Sequence, residues 1–142
     1  MKYFLIFIFL LTGLLSKANG VSDTITYWTI SYDKTVIVRG NLTLAQSPKY
    51  ELTVKEGLLK NLTVSFVYDA GQPQGSSLVV KEKGETLRTI QHDPDIGAYF
   101  IVPVKELIST HQPNVKYELD FYYSDDRGQK NLKLGTIIFI FK

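Results

Sequence analysis

The sequence predicts an all-β domain: a sandwich of two antiparallel sheets with about seven to nine strands. Apolar and polar residues alternate in many short segments, as they do in strands that bury one face. Turn residues separate these segments at the spacing typical of sandwiches. The sequence contains no heptad pattern, internal repeat or long amphipathic helix. A closed β-barrel is the alternative architecture.

The clearest of these segments is the final hairpin, residues 115–141. Its first strand alternates with period two, and the apolar positions are Tyr117, Leu119, Phe121 and Tyr123. Asp125, Asp126 and Gly128 predict the turn, because Asx side chains cap nearby backbone and glycine tolerates positive φ. The return strand ends in the apolar run Ile137, Ile138, Phe139, Ile140 and Phe141. A run that is apolar on both faces predicts that both faces are covered.

Seven more strands are predicted upstream, and they cover residues 24–32, 35–44, 50–55, 62–69, 77–82, 85–91 and 98–104. Residues 33–34 and 83–84 are predicted as tight hairpin turns. Gly40 indicates a bulge or a close neighbour. Even-numbered positions of the second strand, including Val36, Val38, Leu42 and Leu44, are predicted to face inward. One helical turn is predicted within residues 105–110.

Residues 1–20 predict a secretory signal peptide, followed by a single β-sandwich domain over residues 21–142. Lys2 precedes an apolar run that ends at Leu15, and small and polar residues follow. This run is too short to span a bilayer, which needs about 20 residues. An uncleaved anchor is the alternative. We therefore expect the protein in the ER lumen or outside the cell, or in the periplasm if the source is bacterial.

The composition argues against several classes of ligand and of catalytic or metal site. Removal of Lys2 and Lys17 lowers the basic residues from 16 to 14, against 14 acidic residues, so the mature net charge is zero. No basic patch with interleaved aromatics is present, which argues against nucleic acid as a ligand. The chain has no cysteine. Disulfides, thiol catalysis and cysteine-type metal sites are thereby excluded, although the secretory route permits disulfides.

No catalytic or cofactor motif is present. The sequence lacks a Gly-x-Ser-x-Gly elbow, a glycine-rich phosphate loop and a dinucleotide fingerprint. We therefore predict no enzymatic activity and no cofactor.

His92 and His111 are the only histidines, and Asp93 and Asp95 lie beside the first. Zinc or copper needs three or four converging ligands, and the preferred interpretation is a solvated loop in which Asp93-Pro94 starts a turn. Calcium needs about six to eight oxygen ligands. Its candidates are Asp125 and Asp126 together with Asp69 or Asp95, and a charged hairpin tip explains these residues as well. We therefore predict no metal site.

Three surface features favour an interaction role. Asn41-Leu42-Thr43 and Asn61-Leu62-Thr63 are glycosylation sequons whose asparagines are predicted to point outward. Trp28, Tyr27, Tyr32 and Tyr122 are candidates for an aromatic binding face, with core packing as the alternative. Residues Ile137, Ile138, Phe139, Ile140 and Phe141 would be a candidate interaction edge if their strand lay at the margin of its sheet.

The final hairpin resembles the last two strands of fibronectin type III and related immunoglobulin-like domains. The resemblance rests on the spacing of Tyr117, Leu119, Phe121, Tyr123, Asp125 and Gly128. It implies an immunoglobulin-like sandwich. It also implies a tyrosine corner, in which the Tyr117 hydroxyl bonds to the backbone near residues 107–109.

From residue 50 to residue 141, the order of features is similar to the lumenal β-sandwich of the ribophorin II family. The matching features are Val67-Tyr68-Asp69, Gln72-Pro73, Leu78-Val79-Val80, Gly84-Glu85, His92-Asp93-Pro94-Asp95, Tyr99, Tyr117-Glu118-Leu119, Asp125 and Gly135-Thr136-Ile137-Ile138. The resemblance implies an accessory lumenal subunit of the oligosaccharyltransferase, with protein partners in a membrane complex. The sequence departs from that family because it shows neither the large preceding lumenal region nor the following transmembrane helices.

The sequence thus predicts a non-catalytic interaction module of the secretory pathway that binds protein partners and has no transmembrane segment in its mature part. Its most specific form is a ribophorin II-like accessory subunit. The alternative is a bacterial periplasmic or cell-surface binding or adhesion module of fibronectin type III type. A metal-binding or enzymatic domain is the third hypothesis.

Overall fold

The strands that the alternation predicts are present in the computed structural model, which describes residues 25–43, 47–55, 57–69, 71–109 and 112–142. The strands are β1 (Ile25–Tyr32), β2 (Thr35–Gly40), β3 (Lys49–Val54), β4 (Leu62–Tyr68), β5 (Ser76–Glu82), β6 (Glu85–Gln91), β7 (Tyr99–Val102), β8 (Lys116–Asp125) and β9 (Leu132–Phe141). A 3₁₀ turn, Pro94–Ile96, precedes β7, and the helical turn α1 (Val104–Leu107) follows it. The predicted signal peptide, residues 1–20, lies outside the described residues.

The strands form two sheets. Sheet I has the order β2-β1-β4-β7, and sheet II has the order β3-β9-β8-β5-β6. Neighbouring strands are antiparallel except β3 and β9, which are parallel. The consecutive strands β4 and β5 lie in different sheets, and β7 returns to pair with β4, as in Greek-key sandwiches. The predicted all-β sandwich is confirmed, with nine strands in the described residues.

The core lies between the two sheets. Alternate residues of β4 and β8 are buried, as predicted, and they include Leu62, Val64, Phe66, Leu119, Phe121 and Tyr123. The ring of Tyr123 in sheet II packs on Phe66 and Phe100 of sheet I, with centroids 4.3 and 6.3 Å away. Aromatic pairs of this kind stabilise a core beyond the area that they bury.

Trp28 crosses from one sheet to the other. Its side chain is buried, and its Nε1 donates a hydrogen bond to the Leu134 carbonyl of β9 at 3.0 Å. Gly40 lies opposite Trp28 in the β1–β2 register. A Cβ on Gly40 would lie 2.4 Å from Trp28 Cζ2. Gly40 is therefore the point of close approach that its position in a strand predicted, because only glycine leaves room for the indole.

The predicted inward phase of the second strand is wrong at Val36 and Leu42. The β1–β2 register shifts between Ile30 and Ser31, so one extra residue of β2 reverses the alternation before Val38. Val38 is buried, whereas Val36 and Leu42 are exposed. The strand also ends at Gly40 rather than at Leu44, which lies outside the described residues.

The apolar run predicted either a strand inside its sheet or a covered edge, and the structure has the first arrangement, because β9 is paired on both sides, with β3 and with β8. The candidate interaction edge at Ile137, Ile138, Phe139, Ile140 and Phe141 is therefore not an edge of the sheet. On the inward side, Ile137, Phe139 and Phe141 are buried in the core. The outward side of the sheet is charged here. Lys49 of β3 bonds Glu118 of β8 at 2.8 Å, and Lys116 of β8 bonds Glu51 of β3 at 2.7 Å. Both ion pairs span β9, next to half-buried Ile138.

The Tyr117 hydroxyl, which the resemblance places in a tyrosine corner, accepts a hydrogen bond from the backbone N–H of Gln112 at 2.9 Å. A bond from this hydroxyl to the backbone near residues 107–109 stays a prediction. The helical turn α1 ends at Leu107, and the chain has to return from it to the start of β8. Tyr117 thus ties the returning segment five residues before it to the sandwich.

Asp120 on β8 joins two neighbours on β9. Its Oδ1 accepts hydrogen bonds from Lys133 Nζ at 2.8 Å and from the buried hydroxyl of Thr136 at 2.6 Å. Partial burial raises the pKa of Asp120, but the bonds from Lys133 and Thr136 outweigh it and hold the pKa below its usual value. The hydrogen bond to Asp120 in turn raises the pKa of Lys133.

Asp120→Asn is expected to lower the free energy of unfolding by about 1–2 kcal/mol near neutral pH. The stability that the Asp120 carboxylate contributes is fully present above its unfolded pKa of 3.8. This stability is lost as the pH falls through the lower pKa that Asp120 has in the folded protein. The difference between variant and wild type should therefore shrink in acid. Urea denaturation of the variant and the wild type, near neutral pH and again in acid, measures this difference. Glu118→Gln, in an exposed ion pair, is the control and should cost less. An equal loss at both pH values would contradict the assignment.

Candidate functional site: the loop end of the sandwich

Three connections meet at one end of the sandwich. They are residues 71–75 between β4 and β5, residues 92–98 between β6 and β7, and residues 126–131 between β8 and β9. We call these three segments the loop apex. Loops on a rigid β-scaffold are common binding sites, and sandwiches of this kind present loops together at each end. The loop apex is therefore the first place to search for a binding function.

The β8–β9 turn has the chemistry that its sequence predicted. Asp125 Oδ1 accepts hydrogen bonds from the backbone N–H groups of Arg127 and Gln129, at 3.0 and 2.9 Å. Gly128 has φ of 117°, which favours glycine. The Asp125 carboxylate therefore holds the turn of its own hairpin.

Arg127 and Asp126 join this turn to the β4–β5 loop. The guanidinium of Arg127 donates to the carbonyls of Gly71 and Gln72, at 3.2 and 2.7 Å. Asp126 Oδ2 accepts from the Gly75 N–H at 2.9 Å, and the Asp126 N–H donates to the Gly75 carbonyl at 2.9 Å. Sequence reasoning missed this link, because the turn-rich loop and the charged tip are far apart along the chain. The signal available in the sequence was a charged hairpin tip together with a loop whose backbone carbonyls have no partners within the loop.

The third connection is held by His92 and Asp93. The His92 backbone N–H donates to the Ser76 carbonyl at 2.9 Å, and its Nε2 lies 2.6 Å from the Gly97 carbonyl, so Nε2 carries the proton. Asp93 caps the following 3₁₀ turn by accepting from the Asp95 N–H at 3.0 Å. The predicted turn at Asp93-Pro94 is confirmed. His92 and Asp93 thus shape the loop.

The residues that were considered as metal ligands hold other groups in the structure or lie outside the described residues. Among the described residues, no group of three or more histidine, aspartate or glutamate side chains is placed to hold a metal ion. Asp69 accepts a hydrogen bond from Thr26, and Asp125 and Asp126 bond to loop backbone. His111 lies outside the described residues.

Below the loop apex, the core ends in a pair of phenols, of which Tyr123 is buried and Tyr68 is half-buried. The hydroxyls of Tyr68 and Tyr123 lie 2.8 Å apart. Burial raises the pKa of both side chains, so they stay neutral across the physiological range. Phe66 packs on Tyr68 and on Tyr123, with centroids 6.1 and 4.3 Å away. The loops therefore rest on a packed aromatic layer.

The recess at the loop apex is small. A polar recess of about 200 Å³ is lined by Gly75, Ser76, Ser77, Gln91, Ser124 and Asp125. Pockets for small organic ligands are larger, about 300–1,000 Å³, and mostly apolar. The charged residues of the loop apex are Asp93, Asp95 and Asp126 against Lys130 and the half-buried Arg127, so its net charge is −1. This shape and charge suit contact with a protein surface better than capture of a small molecule.

The predicted aromatic binding face is not formed. Trp28 is buried in the core, which is the alternative that the sequence left open. Tyr27 lies on the outward side of sheet I under Arg39, whereas Tyr122 lies on sheet II beside Lys81. Tyr32 is half-buried, and its hydroxyl donates to the Leu58 carbonyl.

The two sequons lie at opposite ends of sheet I. Asn41 follows β2 and is half-buried, and its Oδ1 accepts from the backbone N–H and the hydroxyl of Thr43, at 3.1 and 2.7 Å. Asn61 immediately precedes β4 and is exposed. Glycosylation at these sites stays a prediction.

Neither a protein-family model nor a curated protein matches this chain. In the part of the chain that the structure describes, no helix is long and apolar enough to cross a membrane.

Arg127→Ala is expected to loosen the β4–β5 loop, because it removes both donors to the Gly71 and Gln72 carbonyls. Amide hydrogen exchange at residues 71–75 should accelerate several-fold, while exchange in β8 and β9 stays as in wild type. Lys130→Ala removes a neighbouring exposed cation and is the matched control. Unchanged exchange in the loop would show that Arg127 does not brace it.

Proposed function

We propose that this domain is a non-catalytic interaction module of the secretory pathway that binds a partner protein through the loop apex. The observation that carries the proposal is the bracing of the loops by side chains: Arg127 and Asp126 link two of them, and His92 closes the third. Braced loops lose little conformational entropy on binding, so more of the contact energy appears as affinity.

The proposal extends to the class of partner. Asp93, Asp95 and Asp126 outnumber Arg127 and Lys130 at the loop apex, and this excess of negative charge favours a partner with a basic contact surface. The resemblance to the ribophorin II sandwich supports a more specific role, as an accessory lumenal subunit beside the membrane-embedded glycosylation machinery. The predicted signal peptide supports delivery to that compartment.

Affinity capture of the tagged full-length chain from its own cells, in mild detergent, tests the proposal. Asp95→Lys reverses a charge at the loop apex, and Glu85→Lys makes the same change at the opposite end of the sandwich. We expect wild type and Glu85→Lys to recover glycosylation-machinery subunits and Asp95→Lys to recover several-fold less. Recovery of a soluble protein free of such subunits, or equal recovery by both variants, would overturn the proposal.

A further inference from the structure

The outward faces of the two sheets differ sharply in charge. In sheet II, lysine, glutamate and aspartate side chains cover the outward face and bond across strands. In sheet I, Arg39 is the only charged residue among the described outward positions of its four strands. The most exposed apolar residues of this face are Tyr27, Val36, Val67 and Ile101, at 38–48%. Exposed apolar residues on a face with so few charges are typical of a surface that another group covers.

The centre of this face carries hydroxyl groups. Thr29 pairs with Ser65, and Ser31 pairs with Thr63, on the adjacent strands β1 and β4. All four side chains are half-buried, and they form a flat area between the apolar residues at the two ends. Short hydroxyl side chains beside exposed rings and aliphatic groups suit a neutral polyol, which both accepts hydrogen bonds and packs on apolar surface.

The two sequons stand at the two ends of this face. Asn41 lies beside Tyr27 and Arg39, with which it lines a surface pocket of about 430 Å³. Asn61 lies two positions before Thr63, which pairs with Ile101 at the other end of the sheet. Along β4, the distance from residue 61 to residue 67 is about 20 Å, so a glycan at each end has to cover only about 10 Å.

We infer that N-linked glycans on Asn41 and Asn61 cover the outward face of sheet I. The inference depends on the secretory route within the proposed function and is independent of the loop apex. In the transfer step, the asparagine Nδ2 forms a bond to the anomeric carbon of a lipid-linked oligosaccharide. The bond from that carbon to the pyrophosphate oxygen breaks, the lipid pyrophosphate leaves, and the amide gives up one proton.

The sugar attaches at Asn41 Nδ2, next to the Oδ1 that accepts the two hydrogen bonds from Thr43. The first sugar then lies at the mouth of the pocket beside Tyr27, and a volume of 430 Å³ is within the range of small-ligand sites. A neutral cover of this kind explains why the face needs so few charges of its own.

The test uses the full-length chain secreted from a eukaryotic cell. Intact mass before and after peptide N-glycosidase digestion reports occupancy in wild type, Asn41→Gln and Asn61→Gln. Hydroxyl-radical labelling of the folded protein then reports how accessible the side chains on the outward face of sheet I are to solvent. Tyr50 of sheet II is the internal reference, since its exposure of 39% matches the 38% of Tyr27.

We expect glycans at both sites, labelling of Tyr27 several-fold below that of Tyr50, and labelling of Ile101 several-fold below its own value after enzymatic deglycosylation. Asn41→Gln should restore labelling at Tyr27, and Asn61→Gln should restore it at Ile101. Enzymatic deglycosylation of folded wild type should restore both, which guards against a variant that fails to fold. Absence of glycan, or labelling of Tyr27 equal to that of Tyr50 in the glycosylated protein, would overturn the inference.

Protection that survives deglycosylation and rises with protein concentration would identify a second copy as the cover and would also overturn the inference. The proposed binding function of the loop apex is tested by a separate experiment, the affinity capture. If glycans are absent but Asp95→Lys still loses its partner, only this inference fails. If the glycans protect the face but no variant captures a partner, only the proposed function fails.

Discussion

Trp28→Ala is expected to lower the free energy of unfolding by about 3–5 kcal/mol, the range for truncating a buried large aromatic side chain. The substitution leaves a cavity between the sheets and removes the donor to the Leu134 carbonyl. Domains of this size are stable by about 5–15 kcal/mol, so the variant should lose a large fraction of its stability. Urea denaturation followed by circular dichroism measures the loss.

Tyr27→Ala is the matched control for Trp28→Ala. Tyr27 is the preceding residue on the same strand, but its side chain points outward and is 38% exposed. Its truncation should cost about 0.5 kcal/mol or little more, as is usual at surface positions. Similar losses for the two variants would show that Trp28 is not the cross-sheet anchor.

Gly40→Val is expected to lower the free energy of unfolding by about 3 kcal/mol, at the upper end of the range for overpacked cores. A Cβ at Gly40 meets the Trp28 ring at 2.4–2.7 Å, so the indole has to move and its bond to the Leu134 carbonyl is strained. Chemical denaturation measures this loss. Gly75→Ala is the control, because the nearest atom to its added Cβ is 3.6 Å away.

A double-mutant cycle sharpens the prediction for Gly40. In the Trp28→Ala background the ring is gone, so Gly40→Val should cost much less than it does alone. If Gly40→Val lowered the free energy of unfolding equally in the wild type and in Trp28→Ala, the strain would not come from contact with the indole.

The sequence predictions that are confirmed depend on interactions between residues that are near one another in the chain. The alternation of Leu119, Phe121 and Tyr123 requires one buried face in any extended strand, and the burial follows it. The Asp125 and Gly128 turn is also decided within a few residues, because the aspartate caps its own backbone. Properties of this kind do not depend on which strand lies next to which.

The predictions that are wrong, and the alternatives that the sequence left open, depend on tertiary neighbours. The phase of Val36 changes because of a register shift against β1, which the sequence of β2 alone does not encode. The apolar run at residues 137–141 predicted either a central strand or a covered edge, and only the partner strands decide between these. At the loop apex, the turn of Asp125 was predictable, whereas the contact of Arg127 with Gly71 joins segments that are brought together by folding.

The central place of β9 has a consequence for how the protein is made. Its parallel ladder joins Lys49 to Thr136 and continues to Val54 and Phe141, so each rung connects residues separated by most of the domain. Contacts between such distant residues form slowly, since the intervening chain has to be ordered first. Until residues 132–141 leave the ribosome, β3 has no strand partner and β8 lacks one of its two neighbours. Unpaired strand edges of this kind pair readily with other chains. Completion of this sheet therefore waits for β9, and a nascent chain held short of it is the species most exposed to aggregation.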